Sequence, residues 1–165
     1  MQLDPQDFRK GLGCFATGVT IVTTLGPRGE PVGLTVNSFN SVSLEPPLVL
    51  FSLGRRAFSL PAFLANDHFA VNVLRDDQMA LSDQFARPGS DKWRGVEYHS
   101  WDTGCPILPG ALASFECHTR YTHDGGDHVI FVGEVSRMDC DSDGQPLLYA
   151  RGRYRSLAVP DEENA

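Results

Sequence analysis

Apolar residues along the chain fall into short runs with strand character, separated by clusters of Gly, Pro and Asp. GVTIVTTL (18–25) is β-branched nearly throughout and reads as a strand. The turn GPRGE (26–30) leads to a second strand, PVGLTVNS (31–38), so the two form a hairpin. LVLFSL (48–53) is a continuous apolar run, the pattern of a strand buried on both faces. HFAVNVL (68–74) is a fourth strand. ALASFECHTRYTH (111–123) and DHVIFVGEVSRMD (127–139) flank DGG at 124–126 and make the clearest hairpin. PLLYA (146–150) is a last short strand before the polar RGRYR at 151–155.

Helical spacing is confined to three stretches. Asp4 is placed to cap and Pro5 to begin a helix over 4–15, with Phe8, Leu12 and Phe15 along it. Ser59 is a candidate cap for a helix through Asn66, with Pro61 in its first turn. Asp76 is a candidate cap for a helix through about Ala86, with Met79 and Phe85 expected to face inward. Residues 87–110, rich in Gly, Pro and aromatics, read as a long loop with little regular structure, the kind that often carries function. About seven strands in meander order, without βαβ alternation, predict a mainly β fold: an antiparallel barrel with a few short peripheral helices. A single domain over 1–157 is expected, with a disordered tail at 158–165.

Composition narrows the function. A net charge of −7 and a pI near 5.1 argue against nucleic acid, which needs a basic face. There is no apolar run long enough to span a membrane and no signal-peptide pattern in MQLDPQDFRKGLG. Cys14, Cys105, Cys117 and Cys140 form no C-x-x-C pair and are expected to stay reduced in a cytoplasm. GLGCFATG has glycines at 11, 13 and 18, the wrong spacing for G-x-G-x-x-G, and it follows a helix. His118 and His123 lie five apart on one strand, so they point to opposite faces and cannot share a metal; solvent exposure is expected for both. His128, at the mouth of the best hairpin, stays open between structural and functional roles on position alone.

The most unusual stretch is GLTVNSFNSVSLEPPLVLFSL (33–53). Alternation puts Val32, Leu34, Val36 and Ser38 on one face and Gly33, Thr35 and Asn37 on the other. A glycine beside Thr35 and Asn37 would let a flat ligand approach the backbone. Ser41 and Ser43 follow, in a turn set by Glu45-Pro46-Pro47. SLGRRAFS (52–59) then places Ser52, Arg55, Arg56 and Ser59 before a helix N-terminus, an arrangement suited to an anion. The competing reading is turn chemistry, in which Ser and Asn satisfy their own backbone and the arginines are solvated.

Taken in order, FRKGLGCFATGVTIVTT, GLTVNSFNSVSLEPPLVLFSL, FAVNVL, ALASFEC, GDHVIFVGEV and PLLYARGRYRSL resemble the flavin reductase-like domain family, the small reductase components of two-component flavin-dependent monooxygenases. The resemblance runs from Phe8 to about Leu157. It implies a split β-barrel of the FMN-binding type, usually a homodimer, that binds FMN or FAD and uses NADH or NADPH as co-substrate. It implies that Thr35, Val36, Asn37 and Ser38 lie along the isoalloxazine ring, with Ser41 and Ser43 at the ring or ribityl chain. Ser52, Arg56 and Ser59 would surround the phosphate, with Arg55 nearby. His128 would sit by the nicotinamide and Tyr154 would line the same pocket. The implied reaction is hydride transfer from nicotinamide to flavin, with reduced flavin passing to an oxygenase. That chemistry resides in the two cofactors, in keeping with the lack of a strong acid/base pair in the sequence. Two alternatives are a pyridoxamine phosphate oxidase-type enzyme on the same barrel and a non-enzymatic flavin- or heme-binding module.

Overall fold

The structure is a computed structural model describing residues 3–89 and 91–158. Of the tail expected to be disordered at 158–165, residues 159–165 lie outside the described residues. In chain order the elements are α1 (Pro5–Leu12), β1 (Thr17–Gly18), β2 (Thr20–Leu25), β3 (Pro31–Val36), β4 (Asn40–Leu44), β5 (Pro47–Gly54), α2 (Leu60–Ala65) and β6 (His68–Val73). A 3-10 turn at Asp76–Gln78 runs into α3 (Met79–Ala86). Then come β7 (His99–Ser100), β8 (Pro106–Ile107), β9 (Ala113–Gly125), β10 (His128–Cys140), β11 (Leu148–Ala150) and β12 (Arg153–Arg155).

Seven strands form the main antiparallel sheet in the order β3-β2-β6-β9-β10-β5-β4. Its two outermost strands, β3 and β4, are consecutive in the chain, so the short connection at 37–39 spans from one edge of the sheet to the other. Ser38 fastens that seam. Its Oγ donates to the Ser52 carbonyl on β5 (3.1 Å) and accepts the Ser52 N–H (2.9 Å). Inside lies an apolar cluster centred on Phe51, whose ring meets Phe63, Phe69 and Phe131 at centroid distances of 5.5, 5.0 and 5.0 Å. Offset and edge contacts of this kind add to the burial of the rings themselves.

A second cluster, including Ile21, Leu74, Phe85 and Leu147, lies under α3 and the small sheet β1-β11-β12. Asn72 ties the long loop to the barrel. Its Oδ1 accepts the Leu108 N–H (2.9 Å) and the Ser114 hydroxyl (3.1 Å), and its Nδ2 donates to the Ile21 carbonyl (3.2 Å). A fully buried amide is tolerated only with such partners.

Several local expectations need correction. The first helix stops at Leu12 because the N–H groups of Cys14 and Phe15 turn back to the Gly11 and Leu12 carbonyls. Phe8, Leu12 and Phe15 are all more than half exposed. Phe85 is buried, but Met79 is about half exposed at the outer end of α3. Residues 40–44 form an edge strand as well as a turn, and the polar RGRYR contains β12. Tyr154 of β12, half-buried, packs edge-on against Tyr149 while Arg153 and Arg155 are exposed. The loop at 87–110 contains the two-residue pair β7 and β8.

Candidate functional site

The polar run is spread along the seam of the barrel, and the structure divides its members into groups that are already bonded and groups left free. Gly33 is on the face expected to be open, but that face is filled: a Cβ there would come within 2.9 Å of the Phe85 ring and 3.2 Å of Trp93. The glycine accommodates side chains, not a ligand. Thr35 on the same face donates its hydroxyl to the Ser82 carbonyl of α3 (2.7 Å). Val36 packs against the main cluster, leaving only its backbone at the seam. Ser38 is used in the seam bonds. Ser43 accepts the Glu45 N–H (3.2 Å), an ordinary turn role. Asn37 and Ser41 are exposed, and among the described residues no side-chain hydrogen bond of theirs is formed.

The two neighbouring arginines differ in the same way. Arg55 is committed to the β9–β10 turn: Nε donates to the Gly126 carbonyl (2.8 Å) and Nη2 to Asp124 (2.5 Å), while its backbone N–H reaches Asp127 (2.8 Å). The guanidinium holds the Asp124 carboxyl below its ordinary range. Arg56 is exposed and forms no hydrogen bond or ion pair among the described residues. It is the cation left for an anion. Ser59 stands at the N-cap position of α2 without a side-chain capping bond, so its hydroxyl is also free. With six residues, α2 is too short to supply a useful dipole, and the charge must come from Arg56. A cavity of about 500 Å³ opens beside Ser59, lined by Val32, Gly33, Phe58, Lys92 and Trp93. The expected site groups left without a side-chain hydrogen bond among the described residues are Arg56, Asn37 and the hydroxyls of Ser41, Ser52 and Ser59, the types that hold a phosphorylated polar ligand; of these, Ser59 lines the cavity.

His128 pairs with Gly54 across β10 and β5, and its Nε2 lies 3.7 Å from where a Gly54 side chain would begin. Its Nδ1 meets Asp127 Oδ1 at 2.7 Å. His128 first, and Arg56 more distantly, hold the Asp127 carboxyl below its ordinary range. An ionised carboxylate can only accept, so Nδ1 carries the proton, and Nε2 is left without a hydrogen bond among the described residues. Asp127 was missed as His128's partner in the sequence, although adjacency in GDH could have suggested it.

Tyr154 belongs to a different network. Its hydroxyl donates to Asp83 (2.9 Å) and, in turn, accepts from Ser82 Oγ (2.8 Å). Burial, followed by the Asp83 carboxylate, raises its pKa, so the phenol stays a donor. Through Ser82 this network reaches Thr35; no sequence signal pointed to Ser82, whose role depends on how α3 docks. No hydrogen bond or ring contact joins His128 to Tyr154 among the described residues. The same region gathers no group of three or more metal-ligating side chains among the described residues. His68 and His118 face each other at 4.6 Å between ring centroids, with no further ligand.

Known proteins share this architecture. A family model described as "Flavin reductase like domain" matches residues 12–158. The chain is 48% identical over 149 residues to the FMN reductase (NADH) SmoA of Agrobacterium fabrum, covering 90% of this chain and 84% of that one. It is 41% identical over 160 residues to the flavin-dependent monooxygenase reductase subunit HsaB of Rhodococcus jostii, covering 97% and 81%. The solved structure of the Streptomyces globisporus NADH:FAD oxidoreductase SgcE6, in complex with NAD and FAD fragments, superposes with a TM-score of 0.89 at 38% identity, covering 99% of each chain.

Proposed function

Because the chain belongs to the flavin reductase-like domain family, we propose that it is an NADH-dependent flavin reductase acting on FMN or FAD at the barrel seam, and that its reduced flavin serves an oxygenase component. The observation that carries the site assignment is the division between Arg55 and Arg56. One guanidinium is consumed by the β9–β10 turn, and the other is exposed and unpaired among the described residues, beside the free Ser59 hydroxyl.

The nicotinamide supplies a hydride and the flavin ring accepts it when both are bound. The protein binds and orients. Arg56 and Ser59 hold the phosphate, with the Ser52 backbone fixed nearby by Ser38. Asn37, Ser41 and the Thr35–Ser38 backbone face the ring end, and Ser43 shapes the turn that follows. Asp127 fixes the ring of His128 so that Nε2 can position the nicotinamide carboxamide. Tyr154, anchored through Ser82 and Asp83, walls the Thr35 end. No side chain is required to move a proton in the hydride step. We also assign a homodimer, supported by the exposed apolar residues of α1, and a cytoplasmic location. Among the described residues no helix is long and apolar enough to cross a membrane.

Steady-state oxidation of NADH and NADPH with FMN, FAD and riboflavin tests the reading. Turnover with FMN or FAD is expected, with a KM for riboflavin higher by about tenfold, since riboflavin lacks the phosphate that Arg56 and Ser59 would hold. Equal KM values for riboflavin and FMN would remove those residues from the site.

A further inference from the structure

The connection between β11 and β12 is a two-residue hairpin loop, Arg151-Gly152, flanked by the pair Ala150↔Arg153. Both loop residues have positive φ, 51° and 73°. That is the pattern of a type I′ turn, which strongly favours Asn-Gly, Asp-Gly or Gly-Gly. Arg151 is the only non-glycine residue with positive φ among the described residues. A long side chain held at a position that suits asparagine or glycine points to a use for that side chain.

Its surroundings indicate the use. Arg151 opens onto a cavity of about 570 Å³ between the hairpin and the end of α1, lined by Arg9, Lys10, Gly13, Cys14 and Gly152. That volume lies within the range of small-molecule sites. The turn is tethered through backbone alone: the Arg151 N–H donates to the Gly13 carbonyl at 2.7 Å. The Arg151 side chain forms no hydrogen bond or ion pair among the described residues, and neither do those of Arg9, Arg153 or Arg155. Lys10 is bonded only to Asp7, on its own helix and well exposed. Two unbonded cations, Arg9 and Arg151, therefore line one cavity of a chain whose net charge is −7. Two glycines in the lining allow close approach to the backbone.

We propose that this cavity binds the diphosphate of a dinucleotide, with Arg151 and Arg9 as its principal ligands. Arg56 is one unbonded cation and matches a single phosphate; Arg9 and Arg151 are two and match a diphosphate. Arg151 lies on the same hairpin as Tyr154, whose hydroxyl meets Ser82, the residue that accepts from Thr35. The proposal rests on the reductase reading for its ligand class. The source is the nicotinamide dinucleotide, because the flavin phosphate held by Arg56 and Ser59 is itself one half of the FAD diphosphate, and neither residue lines this cavity.

The test uses Arg151→Asn and Arg9→Ala in the full chain. Arg151→Asn restores the favoured Asn-Gly turn and keeps the tether to Gly13, so its Tm is expected to rise by about 2–4 °C. Calorimetric titration of the flavin-free protein with ADP-ribose is expected to show binding that each variant weakens by about 3–10-fold. FMN affinity is expected to stay unchanged. A raised KM for NADH with unchanged FAD affinity is expected; loss of FAD affinity with an unchanged KM for NADH overturns the proposal. The proposal is overturned if ADP-ribose, NADH and FAD are all bound by both variants as by the parent protein. It is also overturned if Arg151→Asn lowers Tm, because the side chain would then be structural. If the parent protein binds ADP-ribose through Arg151 but does not reduce FMN with NADH, the reductase reading falls and the cavity assignment stands.

Discussion

Arg55 and Arg56 are adjacent, identical in chemistry and both exposed, yet their surroundings give them different work. The β9–β10 turn presents a carbonyl and a carboxylate at the reach of Arg55 and leaves Arg56 to the solvent. Arg56→Ala is therefore expected to weaken flavin binding by about 1–2 kcal/mol, the worth of a charge-assisted contact discounted for exposure. Arg55→Ala should cost much less flavin affinity. Fluorescence titration with FMN checks both, and equal losses would show that the two guanidinia share one role. The sequence alone could not separate this pair, nor show that Thr35, Ser38 and Ser43 spend their hydroxyls on Ser82, Ser52 and Glu45. Each partner is contributed by another segment or by a turn whose geometry only folding defines.

At the scale of elements, the β9–β10 hairpin is held at its tip by charge. Arg55 holds the Asp124 carboxyl below its ordinary value of 3.8, and His128 does the same for Asp127. A carboxyl whose pKa is lowered in the folded state contributes stability above its unfolded value, and that contribution is lost as pH falls through the lowered one. The hairpin tip is thus expected to keep its amide protection at neutral pH and to fray in acid below about 3.8. Hydrogen exchange at the Gly126 and Arg55 amides reads this directly; exchange independent of pH after correction for intrinsic rates would refute it. Elements with a strong period were legible in the sequence: β2, β3, β5, β6, β9 and β10 lie where their apolar runs placed them. β4 and β12 were not. β4 leaves Val42 and Leu44 largely exposed at the sheet edge, and β12 has a single half-buried residue, so neither presents a period to detect. Phe85 and Trp93 over Gly33 were equally invisible, because glycine signals close approach without naming what approaches.

For the whole molecule, burial divides the cysteines. Cys14 and Cys140 are exposed; Cys105 and Cys117 are buried, and burial pushes both of their thiols upward. Since the thiolate is the reactive form, the native protein is expected to give two fast-reacting thiols and the unfolded chain four. Titration with a chromogenic disulfide reagent counts them, and a third fast thiol in the native state would mean the core opens readily. The antiparallel barrel was readable from the hairpin turns and the lack of βαβ alternation, but its strand order was not: β2 lies between β3 and β6, and β10 between β9 and β5, so the sheet is not the expected meander.

The serine clasp at the seam has an evolutionary consequence. Because β3 and β4 are successive strands at opposite edges, the short stretch at 37–39 crosses the seam, and in the proposed site it also borders the ligand seat. Drift there trades ligand preference against barrel closure wherever it reaches Ser38. Drift at Asn37 or Arg56, which are not used in holding the barrel shut, carries no such penalty. Relatives with different flavin or reductant preferences are expected to have diverged at those unconstrained positions first, while the clasp stays fixed.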